Sequence, residues 1–133
     1  MRLIALAPLA VAVSKAGGIG FLAAGTDVED LKSELQKAKH LLRKVSFKGV
    51  DPDVLPIGVG FINWGVSLDT ALEALKDHIP VAVWFFAPKR NEDLVEWTRK
   101  IRELSKGRTK TLLLFKVLTL EGTDLHKALG LSA

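Results

Sequence analysis

The sequence predicts an α/β fold built from repeated strand–helix units around a parallel sheet. Apolar runs begin near residues 20, 57, 81 and 111, and segments with helical periodicity separate them. Parallel strands need such crossover segments, and these connections are right-handed in nearly all proteins. The run at 81–86 is apolar without alternation, which is typical of a strand that is covered by helices on both faces.

The first elements follow from glycine positions and helix-capping chemistry. A helix is predicted at 10–16, where an apolar stretch ends at two glycines, and a short strand follows at 20–23. The sequence TDVE at 26–29 has the spacing of a capping box, so we expect the second helix to begin at Asp27. Its apolar residues recur every three or four positions and form one stripe. These residues are Val28, Leu31, Leu35, Ala38, Leu42 and Val45.

The rest of the chain continues this alternation. Ser67 and Asn91 are expected to cap two further helices, one at 68–77 and one that ends at Lys106-Gly107. The apolar stripe of the second of these helices consists of Leu94, Trp97, Ile101 and Leu104. The other predicted elements are strands at 57–62, 81–86 and 111–120 and a short last helix from residue 123 to residue 130.

Composition limits the classes of function. The chain has 133 residues, of which 48% are hydrophobic, enough for one domain with a real core. It has no cysteine, which excludes a disulfide scaffold, cysteine-ligated zinc, an iron–sulfur cluster and a thiol nucleophile. The densest basic cluster has one aromatic neighbour, Phe47, so we expect a solvated helix face and no nucleic-acid partner. This cluster consists of Lys37, Lys39, Arg43, Lys44 and Lys48.

The first residues resemble a secretory signal. Arg2 precedes an apolar stretch at 3–13, which is the order of a charged start and an apolar region. Lys15 lies beside the small residues of the candidate cleavage site, so we expect the segment to stay on the chain as a buried strand or helix. No apolar run reaches the roughly 20 residues of a membrane-spanning helix. We therefore expect a cytoplasmic protein without a membrane partner.

The three histidines are the candidates for acid–base chemistry. His40 is expected to be solvated, and His78 lies at a predicted helix end, where the helix dipole favours a cation. His126 comes just after a predicted strand, and catalytic groups of parallel α/β folds lie at the carboxyl ends of strands. The alternative for His126 is an ordinary position in the short last helix.

Two further segments carry possible binding signals. Residues 18–23 match the G-x-G-x-x-A pattern of dinucleotide-binding turns, but that pattern needs a strand before it and a helix after it. Here the predicted order is reversed, so a dinucleotide site of this kind is not expected. Asn63-Trp64-Gly65 follows a predicted strand, where barrels place their ligand loops, and is a candidate for cofactor or substrate contact. Trp84 and Trp97 fit a core pattern instead.

Three strings of residues resemble the nitronate monooxygenase family. AVSKAGGIGFLAAG at 12–25 is similar to the family signature AVSNAGGLGFLGAG. LPIGVGFINWG at 55–65 and VWFFAP at 83–88 resemble the third strand with its loop and the fourth strand of fungal-type members. The resemblance implies the N-terminal half of a TIM (β/α)8 barrel, with residues 1–133 as one partial domain.

The family's chemistry is the FMN-dependent oxidation of alkyl nitronates with O₂ to a carbonyl compound and nitrite. Carried over residue by residue, the resemblance implies that His126 is the catalytic base and that Asn63 lines the pocket. It implies that Ala7, Pro8 and Leu9 line the flavin, and it implies no metal.

The sequence departs from the family pattern in two places. Ala7-Pro8-Leu9 runs straight into the first helix, without the loop that follows the family's first strand, and Pro8 matches equally the proline that opens the family's first helix. The segment before His126 lacks the family's paired glycines, and the glycine loops that hold the flavin phosphate have no counterpart.

Length leaves a second interpretation of function open. A complete barrel takes about 250 residues, whereas this chain offers four or five strand–helix units. The pattern of elements therefore fits either a small open doubly wound sheet or roughly half a barrel. Half a barrel has two sheet edges with unpaired backbone groups, which a partner must cover. The alternative function is therefore a non-catalytic half-barrel that pairs its edges in a homodimer.

Overall fold

The computed structural model describes residues 4–114, which form one four-stranded sheet and four α-helices. The predicted last helix and His126 lie outside the described residues. The helices are α1 (Ala7–Lys15), α2 (Leu31–Leu42), α3 (Leu68–Leu75) and α4 (Asn91–Ser105). The strands are β1 (Phe21–Gly25), β2 (Leu55–Ile62), β3 (Pro80–Phe86) and β4 (Lys110–Leu114), and a 3₁₀ turn spans Asn63–Gly65.

The strands lie in chain order, β1-β2-β3-β4, and each neighbouring pair is parallel. A helix connects each strand to the next, and right-handed crossovers in a constant direction place all helices on one face. A doubly wound sheet instead reverses its strand order at a switch point, and the described strands contain no such reversal. The predicted parallel α/β fold is confirmed, and its winding is that of part of a TIM-type barrel.

The main core lies between the sheet and the helices. Val83 and Phe85 of β3 are buried in this layer with Trp97 of α4, whereas Trp84 and Phe86 point to the other face and are half-buried. Among the described residues, the rings on this second face are only half-buried, whereas the sequence predicts a strand that is buried on both faces. The run lacks polar alternation because its second face also carries apolar rings, which pack on the sheet itself.

Two helices begin at residues other than those predicted from caps. α2 begins at Leu31, not at Asp27, because the Asp27 carboxylate accepts the Glu29 N–H in a local turn at 2.9 Å. α4 has Arg90 as its N-cap, not Asn91, and the Asp93 carboxylate accepts the Arg90 N–H at 3.2 Å. In both places a nearby carboxylate satisfies a different backbone donor from the expected one.

α1 begins at Ala7, earlier than predicted, because a buried carboxylate caps it from another helix. Glu34 of α2 accepts the Ala7 N–H at 2.8 Å, and Lys37 donates to its second oxygen at 2.6 Å. Pro8 suits the first turn, where a missing N–H costs nothing. α1 thus joins the core through Ala7, Ala10 and Val11.

Glu34 is expected to make folding stability depend on acid pH. Burial raises the pKa of Glu34, but the hydrogen bonds from Lys37 and Ala7 outweigh it and hold this pKa below its ordinary value. A lowered folded-state pKa stabilises the fold above the unfolded-state pKa, and this contribution is lost as pH falls through the lowered pKa. Glu34→Gln should reduce the free energy of unfolding at neutral pH by about 1–2 kcal/mol and flatten its acid dependence.

Urea unfolding between neutral and acid pH measures this effect, with the exposed Glu96→Gln as the matched control. An acid dependence that Glu34→Gln leaves unchanged would contradict the capping role.

Candidate functional site

The turn after β2 is tied to the end of β3 by two hydrogen bonds. The Asn63 Oδ1 accepts the Phe86 N–H at 2.9 Å, and the Trp64 N–H donates to the Ala87 carbonyl oxygen at 3.0 Å. Ala87 has a φ of 50°, a left-handed conformation that is uncommon outside glycine and often marks functional positions. One side-chain and one backbone hydrogen bond therefore join the turn after β2 to the end of β3.

Asn63 carries an unused hydrogen-bond donor. Its side chain is buried, with 7% exposure, and its Nδ2 has no acceptor among the residues that the structure describes. Since Oδ1 is held by Phe86, the amide cannot rotate to satisfy Nδ2 without releasing another buried group. A buried donor without an acceptor costs about 1–3 kcal/mol, so its retention calls for an explanation. A bound ligand with an acceptor atom next to Nδ2 is such an explanation.

The sheet face opposite the helices has a shallow apolar cradle. Ala23 and Gly60 are neighbours in the β1–β2 register, and a Cβ at Gly60 would meet its nearest atom only at 3.7 Å. Next to Gly60 in the register is Trp84, whose ring meets the Phe21 ring edge-on with centroids 5.4 Å apart. Small residues beside an aromatic pair leave room for a flat group near the carboxyl end of the sheet.

Glycine at two nearby positions makes these contacts possible. The Phe21 ring lies on Gly58, where a Cβ would overlap it. A Cβ at Gly65 would lie 2.6 Å from the Thr26 Cγ2, so the turn after β2 packs directly on the residue that follows β1. Trp64, between these contacts, is 55% exposed and can cover a ligand at this edge.

Of the other predicted site residues, the structure describes Ala7, Pro8 and Leu9. Ala7, Pro8 and Leu9 form the first turn of α1 and not a loop; Ala7 is buried, whereas Pro8 and Leu9 are exposed. The Ala5 carbonyl accepts the Ala23 N–H at 3.0 Å, so the residue before this turn lies along the side of β1 that does not pair with β2. Their role in lining a flavin stays a prediction, as does the role of His126 as base.

The described histidines have no catalytic surroundings. His40 is exposed, as predicted. Burial and the nearby charge of Lys39 lower the pKa of His78, which corrects the expectation of a cation stabilised by the helix end. Residues 4–114 contain no group of three or more metal-ligating side chains. In the same range, no helix is long and apolar enough to cross a membrane.

Neither the cradle nor the Glu34 cap was predicted from the sequence. Gly58 and Gly60 alternate within a strand, and glycine inside a strand often marks a close approach by another group, so a signal for the cradle was present. No local sequence pattern indicated the cap, because Glu34 and Ala7 lie 27 positions apart in the chain.

The fold and site define a class of protein. Four parallel strands in chain order, alternating with helices, are the arrangement of part of a (β/α) barrel.

The chain is similar to two curated proteins. The chain is 47% identical over 107 residues to nitronate monooxygenase npaC of Metarhizium robertsii. The matched segment covers 79% of this chain and 30% of the relative. The chain is 43% identical over 100 residues to a nitronate monooxygenase of Neurospora crassa, covering 65% of this chain and 26% of the relative. The chain is thus homologous to nitronate monooxygenases and spans less than a third of their length.

No family model matches the chain, and no solved structure matches it.

Proposed function

We propose that the chain forms part of the flavin and substrate site of an FMN-dependent enzyme that oxidises alkyl nitronates with O₂. The observation that carries the proposal is the buried, unpartnered Nδ2 of Asn63 at the carboxyl edge of a barrel-type sheet. The names of the two relatives, both nitronate monooxygenases, support this reaction class.

The residues at this edge fit a flavin ring. An isoalloxazine is flat and largely apolar, with acceptor nitrogen and oxygen atoms along its rim, and flavin sites combine such apolar walls with a few fixed polar groups. Asn63 supplies a fixed donor, and Ala23, Gly60 and Trp84 supply a flat apolar wall. When bound, FMN supplies the electron transfer between nitronate and O₂.

The chain's own residues position and shield the reactants. The Phe86 N–H holds the Asn63 Oδ1, so the Asn63 amide keeps one orientation. Its Nδ2 can then hold an acceptor atom of the flavin in one position. The exposed Trp64 ring limits the access of water to the same edge. In this proposal His126 removes the proton from neutral nitroalkanes, the role that the family resemblance implies for it.

Asn63→Asp is expected to reduce FMN affinity at least tenfold, because it removes the Nδ2 donor and keeps an oxygen that accepts the Phe86 N–H. Visible absorbance during FMN titration measures the uptake, and circular dichroism checks the fold. Asn63→Ala should lose FMN as well and also destabilise the chain by about 1–2 kcal/mol, because the Phe86 N–H then lacks its acceptor. The matched control is the exposed Asn91→Asp, which should bind FMN like the unchanged chain.

Absence of saturable FMN uptake by the folded, unchanged chain would overturn the proposal.

The second candidate, a non-catalytic unit that pairs with a second copy, rests on the half-buried rings of Phe21, Trp84 and Phe86 on the face without helices. Colourless protein whose sedimentation coefficient rises with concentration would support that candidate instead.

A further inference from the structure

A groove lies at the amino end of the sheet, at the opposite end from Asn63. Its volume is about 670 Å³, and small-molecule sites are typically about 300–1,000 Å³. The last turn of α2, the connection at 43–54, the start of β2 and the residues after α3 line it. Half-buried Phe47 and Val50 form part of an apolar wall.

Each acidic side chain of this groove lies beside a basic side chain. Asp77 forms an ion pair with Lys32 at 2.8 Å. Asp51 and Asp53 both lie near the Arg108 guanidinium, at 3.7 and 3.6 Å. Because Arg108 balances only one of these two carboxylates, the acidic side chains leave one negative charge in the groove.

The basic side chains are not neutralised in this way. Lys39 and Arg43 stand four positions apart, so both lie on one face at the end of α2. Neither has an ion pair within residues 4–114. His78 lines the opposite side and is close enough for Lys39 to lower its pKa, after the larger effect of burial. The uncompensated charge of the groove is positive.

We propose that this groove is a second binding site, which takes an organic anion with a carboxylate, sulfonate or phosphate on an apolar body. The anionic group binds Lys39 and Arg43 through charge-assisted hydrogen bonds. The apolar body lies against Phe47 and Val50, where it leaves water. The site is independent of the flavin proposal, because the two lie at opposite ends of the strands.

A matched pair of fluorescent probes tests the charge requirement. Anilinonaphthalene sulfonate carries the anionic group, and N-phenylnaphthylamine has the same rings without it. The sulfonate should bind the unchanged chain at least tenfold more tightly than the neutral amine. Equal affinity of the two probes would overturn the proposal, since the cations would then play no part.

A matched pair of variants tests the location. Lys39→Glu should weaken sulfonate binding about tenfold, equivalent to about 1.4 kcal/mol. Lys15→Glu is the control, because Lys15 also lies in the last turn of a helix and complements its dipole in the same way. Lys15→Glu should leave the affinity within about twofold of the unchanged value. Equal losses in both variants, with the fold intact by circular dichroism, would refute a site at Lys39.

Discussion

Gly20→Ala is expected to destabilise the fold by about 3 kcal/mol or more, because a Cβ at this position overlaps the backbone of Ala10 in α1. Gly20 cannot move away easily. Its N–H donates to the Ser14 Oγ at 3.0 Å, and its carbonyl accepts the Gly58 N–H at 2.8 Å. The substitution must therefore separate α1 from the sheet or break one of these buried hydrogen bonds. The urea midpoint of unfolding, followed by far-ultraviolet circular dichroism, measures the loss.

Gly60→Ala is the control for that substitution. Gly60 lies in the neighbouring strand, and its added Cβ makes only ordinary contact with the Leu22 carbonyl, at 3.7 Å. The free energy of unfolding should change by less than about 1 kcal/mol, because the loss of backbone freedom in the unfolded chain favours alanine. Equal urea midpoints for Gly20→Ala and Gly60→Ala would show that α1 does not pack closely against the chain at Gly20.

Trp97→Ala is expected to reduce the free energy of unfolding by about 3–5 kcal/mol, the usual cost of removing a buried tryptophan. Trp97 is 4% exposed and joins α4 to two strands. Its ring centroid lies 5.3 Å from that of Phe61 in β2 and 5.7 Å from that of Phe85 in β3. The deletion leaves a cavity between helix and sheet that Phe61 and Phe85 cannot fill without changing their rotamers.

The exposed Val95 of the same helix provides the comparison. Val95→Ala should change the free energy of unfolding by less than about 0.5 kcal/mol, since it removes no buried contact. Trp97→Phe should fall between the two, because a smaller ring keeps part of the packing. A cost for Trp97→Ala no larger than that for Val95→Ala would contradict the assignment of Trp97 to the core.

Chain order allowed part of the candidate site to be predicted. Asn63 directly follows an apolar run, and the carboxyl ends of parallel strands share one edge, so its position at that edge needed no coordinates. That its Oδ1 would be held by Phe86, and its Nδ2 left without a described acceptor, depends on the register of β2 against β3. The groove at the amino end likewise brings together Lys39 of α2 and His78 of the segment after α3.

The sequence by itself determined the parallel α/β class, the number and order of the described strands, and the stripes that α2 and α4 bury. These properties depend on hydrophobic periodicity, which neighbouring residues carry within each segment. Only the tertiary structure decided that the helices lie on one face, that Glu34 caps α1, and that the Asn63 Nδ2 has no acceptor within residues 4–114. Each of these depends on contacts between residues far apart in the chain, whose geometry local patterns do not encode.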